Sequence, residues 1–498
     1  MREWETGSES DVNSLQWKWE LGAFQQANFD NLMNEIDGCL PVQIFEKLYN
    51  EKMRKFIRDE SLRYAKVVNN DNTFTFSDND LKHFTAVLLY SGYHSLPQEH
   101  LYWERQADVD TKLIHEVVSK NKFQSTKKNF HLADNDNLDK NDKYAKVRPF
   151  YDLANESLKQ FGYWHNDYSI DEQMIPYFGM HSAKQTMRVK SVRFGYKNFV
   201  LAGSDGYPYH IIPYSGAKGI GGTPGKDLTL RVVTDLVLRS GGGINNLTFD
   251  NWYTSTKLMS ALTGMGIPTV CTARKDRIGK APVLSTTEMK AKPRGHYSHA
   301  FDDGVGIHCV SWMDNSVVTI LSNCTGPYPL DKVERYSGKE KKKVSVPRPG
   351  MIKLYNNAMG GVDQLDGAVA QYRIKIRSKK WWWPHYSNAL GVMVGAAWKI
   401  WKAGNPTEDQ SLLFFVRSIV TSYLHKDTIL VAPSYWKTKV VVSESKRLTG
   451  RSHWPGFLVK QRRCAIPECK SKVRSYCMEC GVALCIDNDH FKLFHTLK

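Results

Sequence analysis

Four acidic residues in three distant segments place the strongest constraint on the fold, because the chain must bring them together if they share one task. Asp171 lies in SIDEQM, Asp250 in LTFDNWYTS, and Asp363 with Asp366 in MGGVDQLDG. A single aspartate is usually a solvated or helix-capping residue. Carboxylates gathered from separate segments can instead hold a pair of divalent cations, Mg²⁺ or Mn²⁺, that promote phosphodiester chemistry. The four aspartates are therefore the candidate catalytic and metal-binding residues.

The residues around each aspartate predict its local structure. Asp171 follows an alternating, β-prone run and Asp250 ends a short apolar run, so we expect both on strands or at strand ends. Asp363 and Asp366 are three positions apart in a helical pattern that continues through Val369, which puts both on one helix face. Two like charges there repel unless a cation neutralises them. A purely structural helix would gain nothing from this pair.

The order of the elements between these segments predicts a fold. The strands FGYKNFVLAG and YPYHIIPYSG are separated by a hairpin signal, and a helical pattern follows over 226–239. After Asp250 come a helix over 254–265 and the strand IPTVCTAR. Strand, hairpin, helix, strand is the order of a ribonuclease H-like core, whose acidic residues come from the first strand, the fourth strand and a later helix. We therefore predict an α/β fold with such a core.

The charge of the chain favours a polyanionic partner. Lys plus Arg total 68 against 51 for Asp plus Glu, a formal net charge of +17. One basic segment also runs into three tryptophans, and cations beside aromatic rings can pair with phosphates and stack on unpaired bases. Its basic residues are Arg373, Lys375, Arg377, Lys379 and Lys380. Core packing is the alternative for the tryptophans, and we expect it for Trp381 and Trp382; Trp383 remains a candidate DNA contact.

The last part of the chain is dense in cysteine and histidine. Of nine cysteines, five lie in this tail together with two histidines: Cys464, Cys469, Cys477, Cys480, Cys485, His490 and His495. Thiolates and imidazoles at short intervals suit tetrahedral Zn²⁺. Disulfides are the alternative, but no secretory signal opens the chain. Two zinc ions need eight ligands and these are seven, so either Asp487, Asp489 or a more distant residue completes one site, or only one zinc is held fully by protein.

Five motifs in this order resemble those of the piggyBac transposases and the piggyBac transposable element-derived proteins. They are IDEQM, RFGYK, FDNWYTS, YNNAMGGVDQLD and RSKKWWWP, and the resemblance runs from about Leu40 to the end of the chain. It implies a DNA cut-and-paste enzyme that works as a homodimer on double-stranded DNA. Such enzymes open transposon ends by hydrolysis, form hairpins on those ends and insert at TTAA targets. A nuclear location is expected with this substrate.

The resemblance also implies roles for particular residues. Asp171, Asp250 and Asp363 match the catalytic aspartates, Asp366 matches an additional acidic residue beside the third, and Trp383 matches a tryptophan that stacks on DNA near the hairpin. Gly367 departs from the polar residue common after the second aspartate of the motif. The family's similar tail implies a cross-brace pairing. Its first site would comprise Cys464, Cys469, Cys485 and His490, with x4 rather than the usual x2 spacing in the first pair.

Composition shifts along the 498 residues, together with the resemblance, predict the domain division. The predicted segments are 1–38, disordered or loosely packed; 39–165, the first part of a helical dimerisation and DNA-binding domain; 166–282, the first part of the ribonuclease H-like core; 283–349, a β-rich insertion domain; 350–373, the catalytic helix of the core; 374–440, the second part of the helical domain; 441–460, a linker; and 461–498, the Cys/His zinc-binding domain. We expect the charged run GKEKKKVSVPRPG to be a solvated loop, with a DNA contact or a nuclear signal as alternatives.

Three classes of function are compatible with these features. The first is an active DNA transposase, and the second is a domesticated, DNA-binding derivative without mobility. The third is a zinc-dependent chromatin or protein interaction module, which explains the tail but leaves the acidic segments and RSKKWWWP without a role. The presence of all four aspartates favours the first class. No membrane association is expected, because the longest apolar stretch, near LGVMVGAAW, is too short to span a bilayer.

Overall fold

The computed structural model describes residues 4–5, 18–187, 192–216, 228–240, 243–338, 340–405, 411–424, 428–430, 440–442, 447–448, 453–466 and 469–496. The chain divides into two compact units. Unit 1 comprises Met1–Asp37, Ala133–Ala370 and Ser378–Lys399, and unit 2 comprises Gly38–Leu132, Gln371–Arg377 and Ile400–Lys498. Each unit is therefore assembled from segments that are separate in the sequence.

The strands of the described residues are named in chain order. They are β1 (Trp4–Glu5), β2 (Asp167–Pro176), β3 (Gln185–Thr186), β4 (Phe194–Gly203), β5 (Pro208–Pro213), β6 (Asn246–Phe249), β7 (Thr269–Thr272), β8 (Tyr297–Asp302), β9 (Ile307–Met313), β10 (Val317–Ser322), β11 (Asp331–Ser337), β12 (Lys342–Arg348), β13 (Thr428–Leu430), β14 (Val440–Val442), β15 (Pro455–Arg463) and β16 (Lys472–Cys477).

The α-helices of the described residues are named in the same way. They are α1 (Lys18–Ile36), α2 (Pro41–Leu48), α3 (Glu51–Val67), α4 (Asp78–Tyr93), α5 (Lys112–His115), α6 (Lys120–Asn129), α7 (Arg148–Lys159), α8 (Leu228–Arg239), α9 (Thr256–Gly264), α10 (Thr286–Lys290), α11 (Gly350–Ala358), α12 (Gly361–Gln371), α13 (Trp383–Gly404), α14 (Leu412–Leu424) and α15 (His490–Thr496). Positions 226 and 227 of the helix predicted over 226–239 lie outside the described residues.

Unit 1 is built on one mixed sheet whose central strand carries the first aspartate. β2 pairs antiparallel with β4 and parallel with β6, while β4 pairs antiparallel with β5 and β6 parallel with β7. Parallel neighbours need a crossover connection, and α8 and α9 are the helices that precede β6 and β7. The resulting spatial order is β5-β4-β2-β6-β7, and its strands and helices follow one another along the chain as predicted for the ribonuclease H-like core. The central β2 is buried from Tyr168 to Ile175, as a strand covered on both faces must be.

The region predicted as a separate β-rich insertion, 283–349, largely continues this sheet. β10 pairs antiparallel with β7 and with β9, and β9 pairs with β8. Within the described residues, only the hairpin β11–β12 of this region forms a sheet of its own. The prediction of a solvated loop at GKEKKKVSVPRPG is wrong for Lys342–Arg348, because these residues pair in register with β11 as strand β12.

The N-terminal segment is more ordered than the sequence predicts. α1 covers Lys18–Ile36 and docks within unit 1 through polar side chains. Gln25 Nε2 donates to the carbonyl of Gly243 at 3.0 Å, and Asn28 Nδ2 donates to the carbonyl of Tyr163 at 2.9 Å. The prediction of disorder or loose packing over 1–38 is therefore wrong for this helix, because these amides and the buried side chains of Leu32 and Ile36 anchor it. Residues 1–3 and 6–17 lie outside the described part of the chain.

Unit 2 contains the helices α2 to α6 and α14. Arg54 on α3 pairs with Asp78 at the start of α4, with 3.0 Å between Nε and Oδ1, and Phe84 packs on Phe123 with 4.9 Å between ring centroids. The helical domain predicted over 39–165 ends earlier, because α7 belongs to unit 1. There, Asn155 bonds to both backbone groups of Ile211 on β5. Among the described helices, none combines the length and the apolar character needed to cross a membrane.

The C-terminal part of unit 2 is a hairpin, β15–β16, followed by α15. Its small core consists of cysteines and aliphatic side chains: Cys464, Cys477, Cys480, Val482, Leu484 and Cys485. The boundary predicted at residue 461 falls inside β15, whose residue Pro455 pairs with Cys477. The end of the predicted linker 441–460 is therefore part of the folded module, since the pairing partner of β16 begins before the first cysteine.

Candidate functional site

Asp171 and Asp250 lie at adjacent positions in neighbouring parallel segments. β2 and β6 are in register with Ile170 opposite Phe249; Asp171 is the next residue of β2, and Asp250 directly follows the last residue of β6. Asp171 is buried, and its Oδ1 accepts a hydrogen bond of 2.8 Å from the backbone N–H of the next residue. Asp250 Oδ1 accepts a hydrogen bond of 2.8 Å from the backbone N–H of Trp252. The fold thus brings the first two predicted aspartates together.

Two tyrosines, the buried Tyr253 and the half-buried Tyr355, lie in the electrostatic field of both carboxylates. Burial, followed by the charges of Glu172, Asp171 and Asp250, raises the pKa of Tyr253 well above its ordinary value. Burial raises the pKa of Tyr355 on α11 to about 12, and the charges of Asp250 and Asp171 contribute to this rise. Both phenols are therefore neutral near pH 7, and the two carboxylates concentrate negative charge at one place.

The helix α12 brings the third acidic segment to the same strand. Gln173 Nε2 donates a hydrogen bond of 2.7 Å to Asp366 Oδ1. Gln173 follows Asp171 by two positions on β2, and side chains at this spacing project from the same face of a strand. Asp363 lies one turn earlier, in the first turn of α12, and is exposed. The predicted helix therefore places Asp366 over the face of β2 that carries Asp171.

The aspartates form an open group rather than a closed cage. Among the described residues, the groups of Cys, His, Asp and Glu whose ligand atoms all lie within 4.8 Å of one another are two Cys/His clusters, so the aspartate oxygens are spread more widely. Carboxylates repel one another unless a cation neutralises them. Their oxygen donors suit hard cations such as Mg²⁺ and Mn²⁺, which retain water ligands and need only a few carboxylates. The donor set therefore fits such a cation.

Close backbone packing fixes the start of α12. A Cβ at Gly361 would lie 2.2 Å from the carbonyl oxygen of Gly203 and 2.8 Å from Ser169 Oγ. Gln364 Nε2 donates to the carbonyl of Ser204 at 2.8 Å, which ties the next residues of the helix to the turn between β4 and β5. The position of the acidic helix against β2 and β4 thus depends on a glycine that the sequence motif contains but does not explain.

Substituting this glycine should displace the helix. We expect Gly361→Ala to lower the free energy of unfolding by about 1–3 kcal/mol, because the added methyl group meets backbone rather than a flexible side chain. Gly367→Ala, in the same helix, is the matched control: a Cβ there meets nothing within 4 Å. The control should raise stability by roughly 0.5–1 kcal/mol, because alanine favours helix. Thermal melting checks both variants, and equal melting temperatures would contradict the close packing.

A buried ion pair on the opposite face of β2 was not anticipated from the sequence. Lys197 Nζ lies 2.9 Å from Glu172 Oε1, and both side chains are 7% exposed. The same Nζ lies 4.3 Å from the ring centroid of Trp252. These contacts join the motifs IDEQM, RFGYK and FDNWYTS. The motifs contain the residues, but a single sequence carries no signal for this long-range contact. The pair joins β2, beside Asp171, to β4.

The predicted basic DNA-binding residues are accessible. Lys375, Arg377 and Lys379 are exposed, and Arg373 and Lys380 are half-buried. Lys380 Nζ lies 5.3 Å from the ring centroid of Trp382. This distance is within the range of a cation–π contact. The exposed cations of the segment remain candidates for phosphate contacts.

The three tryptophans differ in burial, and only Trp382 fully matches its prediction as a core residue. Trp382 is buried, as expected, but Trp383 is also only 3% exposed, and its ring centroid lies 5.9 Å from that of Tyr386. Stacking of Trp383 on DNA would require this ring to leave the core, so its burial favours the core-packing alternative. Trp381, predicted as core, is half-buried and stacks on His181 at 4.0 Å between ring centroids. Trp383 is buried because α13 begins at this residue and its ring packs against Tyr386 in the next turn of the helix.

The tail contains two groups of four metal-ligand side chains, here named cluster A and cluster B. Cluster A consists of Cys464, Cys469, Cys485 and His490. In it, Cys464 Sγ lies 3.5 Å from His490 Nδ1, and Cys469 Sγ lies 3.6 Å from Cys485 Sγ. These are the four residues that the family's cross-brace pairing implied for one site.

Cluster B consists of His453, Cys477, Cys480 and His495. His453 Nδ1 lies 3.4 Å from both Cys477 Sγ and Cys480 Sγ, and Cys480 Sγ lies 3.5 Å from His495 Nε2. The other ring nitrogen of His495, Nδ1, lies 2.6 Å from the carbonyl oxygen of Phe491. Donation of its N–H there would leave Nε2 as the ligand atom, the arrangement usual for metal-binding histidine.

His453 is an eighth candidate ligand that the sequence did not identify. It precedes Pro455, which pairs with Cys477, so the hairpin carries it to the second site. Asp487 and Asp489, the nearer candidates, belong to neither cluster. The x2 and x4 cysteine spacings mark only residues after 461, and the sequence carries no local signal for the pairing of β15 with β16 that brings His453 to the cluster. The distances fit zinc, because bonds of about 2.0–2.3 Å in a tetrahedron separate the ligand atoms by about 3.3–3.8 Å.

Comparison with known proteins identifies a matching family, similar sequences and a solved structure with a similar fold. The sequence profile of a family described as Transposase IS4 matches residues 40–398. PiggyBac transposable element-derived protein 3 of Homo sapiens is 33% identical over 452 residues, which cover 89% of this chain and 74% of the relative. PiggyBac transposable element-derived protein 2 of Homo sapiens is 31% identical over 433 residues, covering 86% and 72%. A piggyBac transposase synaptic complex with hairpin DNA, solved by cryo-EM, has a similar fold, with a TM-score of 0.62 and 18% identity over 90% of this chain and 97% of that one.

Proposed function

Because the chain belongs to the piggyBac family of transposases and transposase-derived proteins, we propose that it is a metal-dependent DNA transposase. It would hydrolyse phosphodiester bonds at transposon ends and transfer the cut strands to TTAA targets. The observation that carries this proposal is that Asp171 on β2 lies beside Asp250 at the end of the parallel strand β6, with Asp366 hydrogen-bonded to Gln173 of β2. Acidic residues from the first strand, the fourth strand and a later helix are the arrangement expected of such an enzyme.

The residues of the site have separable tasks. Asp171, Asp250, Asp363 and Asp366 would hold Mg²⁺ or Mn²⁺, which when bound supplies activation of the attacking oxygen and stabilisation of the leaving one. Asp171 and Asp250 are fixed by the sheet, and α12 carries the other two aspartates. Burial of Asp171 keeps bulk water from screening the charge, so its attraction for a cation is stronger than at the surface.

DNA is the proposed partner. The exposed cations of 373–380 would bind phosphates along the substrate. The solved neighbour with the similar fold is a synaptic complex with hairpin DNA, which supports this substrate class. We further propose that the protein works as a homodimer in the nucleus, where its substrate lies. Zn²⁺ would occupy clusters A and B and stabilise the tail, because the donor sets and spacings of both suit it.

A domesticated derivative is the second candidate, because the relatives are themselves named transposable element-derived proteins. The two candidates differ in chemistry rather than in DNA binding. Purified protein incubated with Mg²⁺ and DNA carrying inverted repeats flanked by TTAA from around the coding region separates them. Cleavage at the repeat boundary supports the transposase, and binding without cleavage supports the derivative.

Removing the tail should weaken recognition of specific end DNA while the core stays folded. The tail has its own small core and contains clusters A and B, so we expect it to fold as a separable module when zinc is bound. Its exposed cations, suited to phosphate contacts, are Arg462, Arg463, Lys470, Lys472 and Arg474. Because the folded module includes His453, the deletion should cover residues 453–498. We expect a loss of about tenfold or more in affinity for end DNA, measured by gel shift.

Random DNA of equal length is the control for this deletion, and a thermal melt of the remaining chain checks that the core persists. Loss of affinity for end DNA beyond the loss for random DNA assigns recognition to the tail. Equal affinity and equal discrimination in both proteins would rule out a DNA role and favour a protein-binding tail.

A further inference from the structure

A buried amide connects the acidic helix to the centre of unit 1. Gln173 is fully buried on β2, and its Nε2 donates to Asp366 Oδ1 at 2.7 Å. An ionised carboxylate only accepts hydrogen bonds, so the nitrogen end of this amide has to face Asp366. The oxygen end of Gln173 consequently faces the interior, where it needs donors.

Two asparagines supply those donors. Asn388 on α13 donates from Nδ2 to Gln173 Oε1 at 2.8 Å, and Asn198 on β4 approaches the same oxygen with its Nδ2 at 3.5 Å. Both asparagines are buried. The orientation of the Gln173 amide is therefore fixed from behind by a helix and a strand that do not themselves carry acidic site residues.

The network continues away from the site. Asn198 Nδ2 also lies 3.4 Å from the hydroxyl of Tyr151, and that hydroxyl lies 3.1 Å from His385 Nδ1. Burial lowers the pKa of His385 to about 3, so its ring is neutral and Nδ1 can accept the tyrosine proton. A change in the direction of the Gln173 amide would separate its oxygen from both asparagine donors and its nitrogen from Asp366, so these contacts favour one orientation.

A core glutamine could serve stability alone, since buried amides also anchor other elements of this unit. Asn155 does so on α7, where it bonds to both backbone groups of Ile211. Gln173 differs in that its donor is directed at a carboxylate of the acidic group, two positions along the strand from Asp171. Groups that hydrogen-bond to metal-ligating carboxylates orient them and tune the affinity of the site.

We propose that Gln173 is a positioning residue for the divalent-metal site: by donating to Asp366 Oδ1 it fixes the orientation of that carboxylate relative to a cation shared with Asp171. Asn388 acts behind it by fixing the direction of the amide. This inference rests on the proposed function, because it assumes that Asp366 and Asp171 bind the same ion. It predicts that loss of the amide weakens metal binding even though Gln173 itself is not a ligand.

The test measures Mn²⁺ binding to the full-length, zinc-loaded protein. Electron paramagnetic resonance gives the concentration of free Mn²⁺, and the bound fraction is the difference from the total. The variants are Gln173→Met, which keeps length without a donor, and Asn388→Leu, which removes the support behind the amide. Asn155→Leu is the matched control, because it removes a buried amide of the same unit that does not touch an aspartate. Asp171→Asn identifies which part of the signal belongs to this site.

We expect Gln173→Met to raise the Mn²⁺ dissociation constant about 10–100-fold, with a smaller rise for Asn388→Leu. Asn155→Leu should lower the melting temperature and leave Mn²⁺ affinity unchanged. Equal Mn²⁺ affinity in wild type and Gln173→Met, or an equal loss in Asn155→Leu, would overturn the proposal and leave Gln173 as a structural amide. Wild-type protein with no Mn²⁺ site sensitive to Asp171→Asn would instead refute the proposed function, so the two failures are distinguishable.

Discussion

Asp171→Asn is expected to abolish strand cleavage while leaving DNA binding largely intact. The substitution keeps the size of the side chain but removes the charge at a buried position opposite Asp250. The loss of one metal-ligating carboxylate should cost about 4 kcal/mol of transition-state stabilisation, or a rate about 10³-fold lower. Asp250→Asn and Asp363→Asn should behave in the same way. Cleavage of labelled transposon-end DNA in Mg²⁺ gives the rate, and a gel shift gives the affinity.

The matched control for this series is Asp303→Asn. Asp303 is an exposed aspartate of unit 1 in the turn after β8, so its substitution removes the same charge away from the site. The control should cleave at the wild-type rate. Undiminished nicking by Asp171→Asn, Asp250→Asn or Asp363→Asn would remove that residue from the site. An equal change in DNA affinity in all four variants, including Asp303→Asn, would show that the net charge of the protein causes the effect.

His453→Ala is expected to remove one of two zinc ions from the protein. His453 closes cluster B and approaches two cysteines, so its loss leaves three ligands and an open position. Structural zinc contributes roughly 10–16 kcal/mol of apparent binding free energy in small domains, so an incomplete site should unfold the hairpin around it. Elemental analysis of dialysed protein should give about two zinc ions per chain for wild type and about one for the variant.

His296→Ala is the control for this measurement, because His296 belongs to neither cluster. It should retain the wild-type zinc content. Substitution of Asp489, the ligand that the sequence alone suggested, should also leave the zinc content unchanged. If His453→Ala retains two zinc ions and Asp489→Ala loses one, the structure of cluster B is wrong and the sequence-based candidate is right.

The core of the fold and the acidic segments could be predicted because their signals are local. Alternation along β2, the hairpin between β4 and β5, and the helical period before β6 and β7 each lie in a few consecutive residues. Their order then restricts the topology, since parallel strands require crossovers. Asp171 and Asp250 could be placed at strand positions for the same reason, and the register of β2 with β6 brings them together.

Features that depend on contacts between distant residues were missed. The role of Gln173 becomes visible only when α12 and α13 are placed against β2, because its partners come from separate segments. His453 joins cluster B only through the pairing of β15 with β16. For Trp383 the sequence left both DNA stacking and core packing open, because a tryptophan beside a basic run suits either, and only the tertiary structure shows that its ring is buried.

The central claim is that three distant segments share one divalent cation, and iron-directed cleavage of the protein chain tests it most directly. Fe²⁺ replaces Mg²⁺ in the full-length protein, and ascorbate with peroxide then generates radicals that cut the backbone near the bound ion. We predict cuts near Asp171, Asp250 and Asp363–Asp366, all suppressed by excess Mg²⁺ and all lost together in Asp171→Asn. Cuts at only one of these segments, or cuts near Asp250 that survive in Asp171→Asn, would contradict a shared metal site.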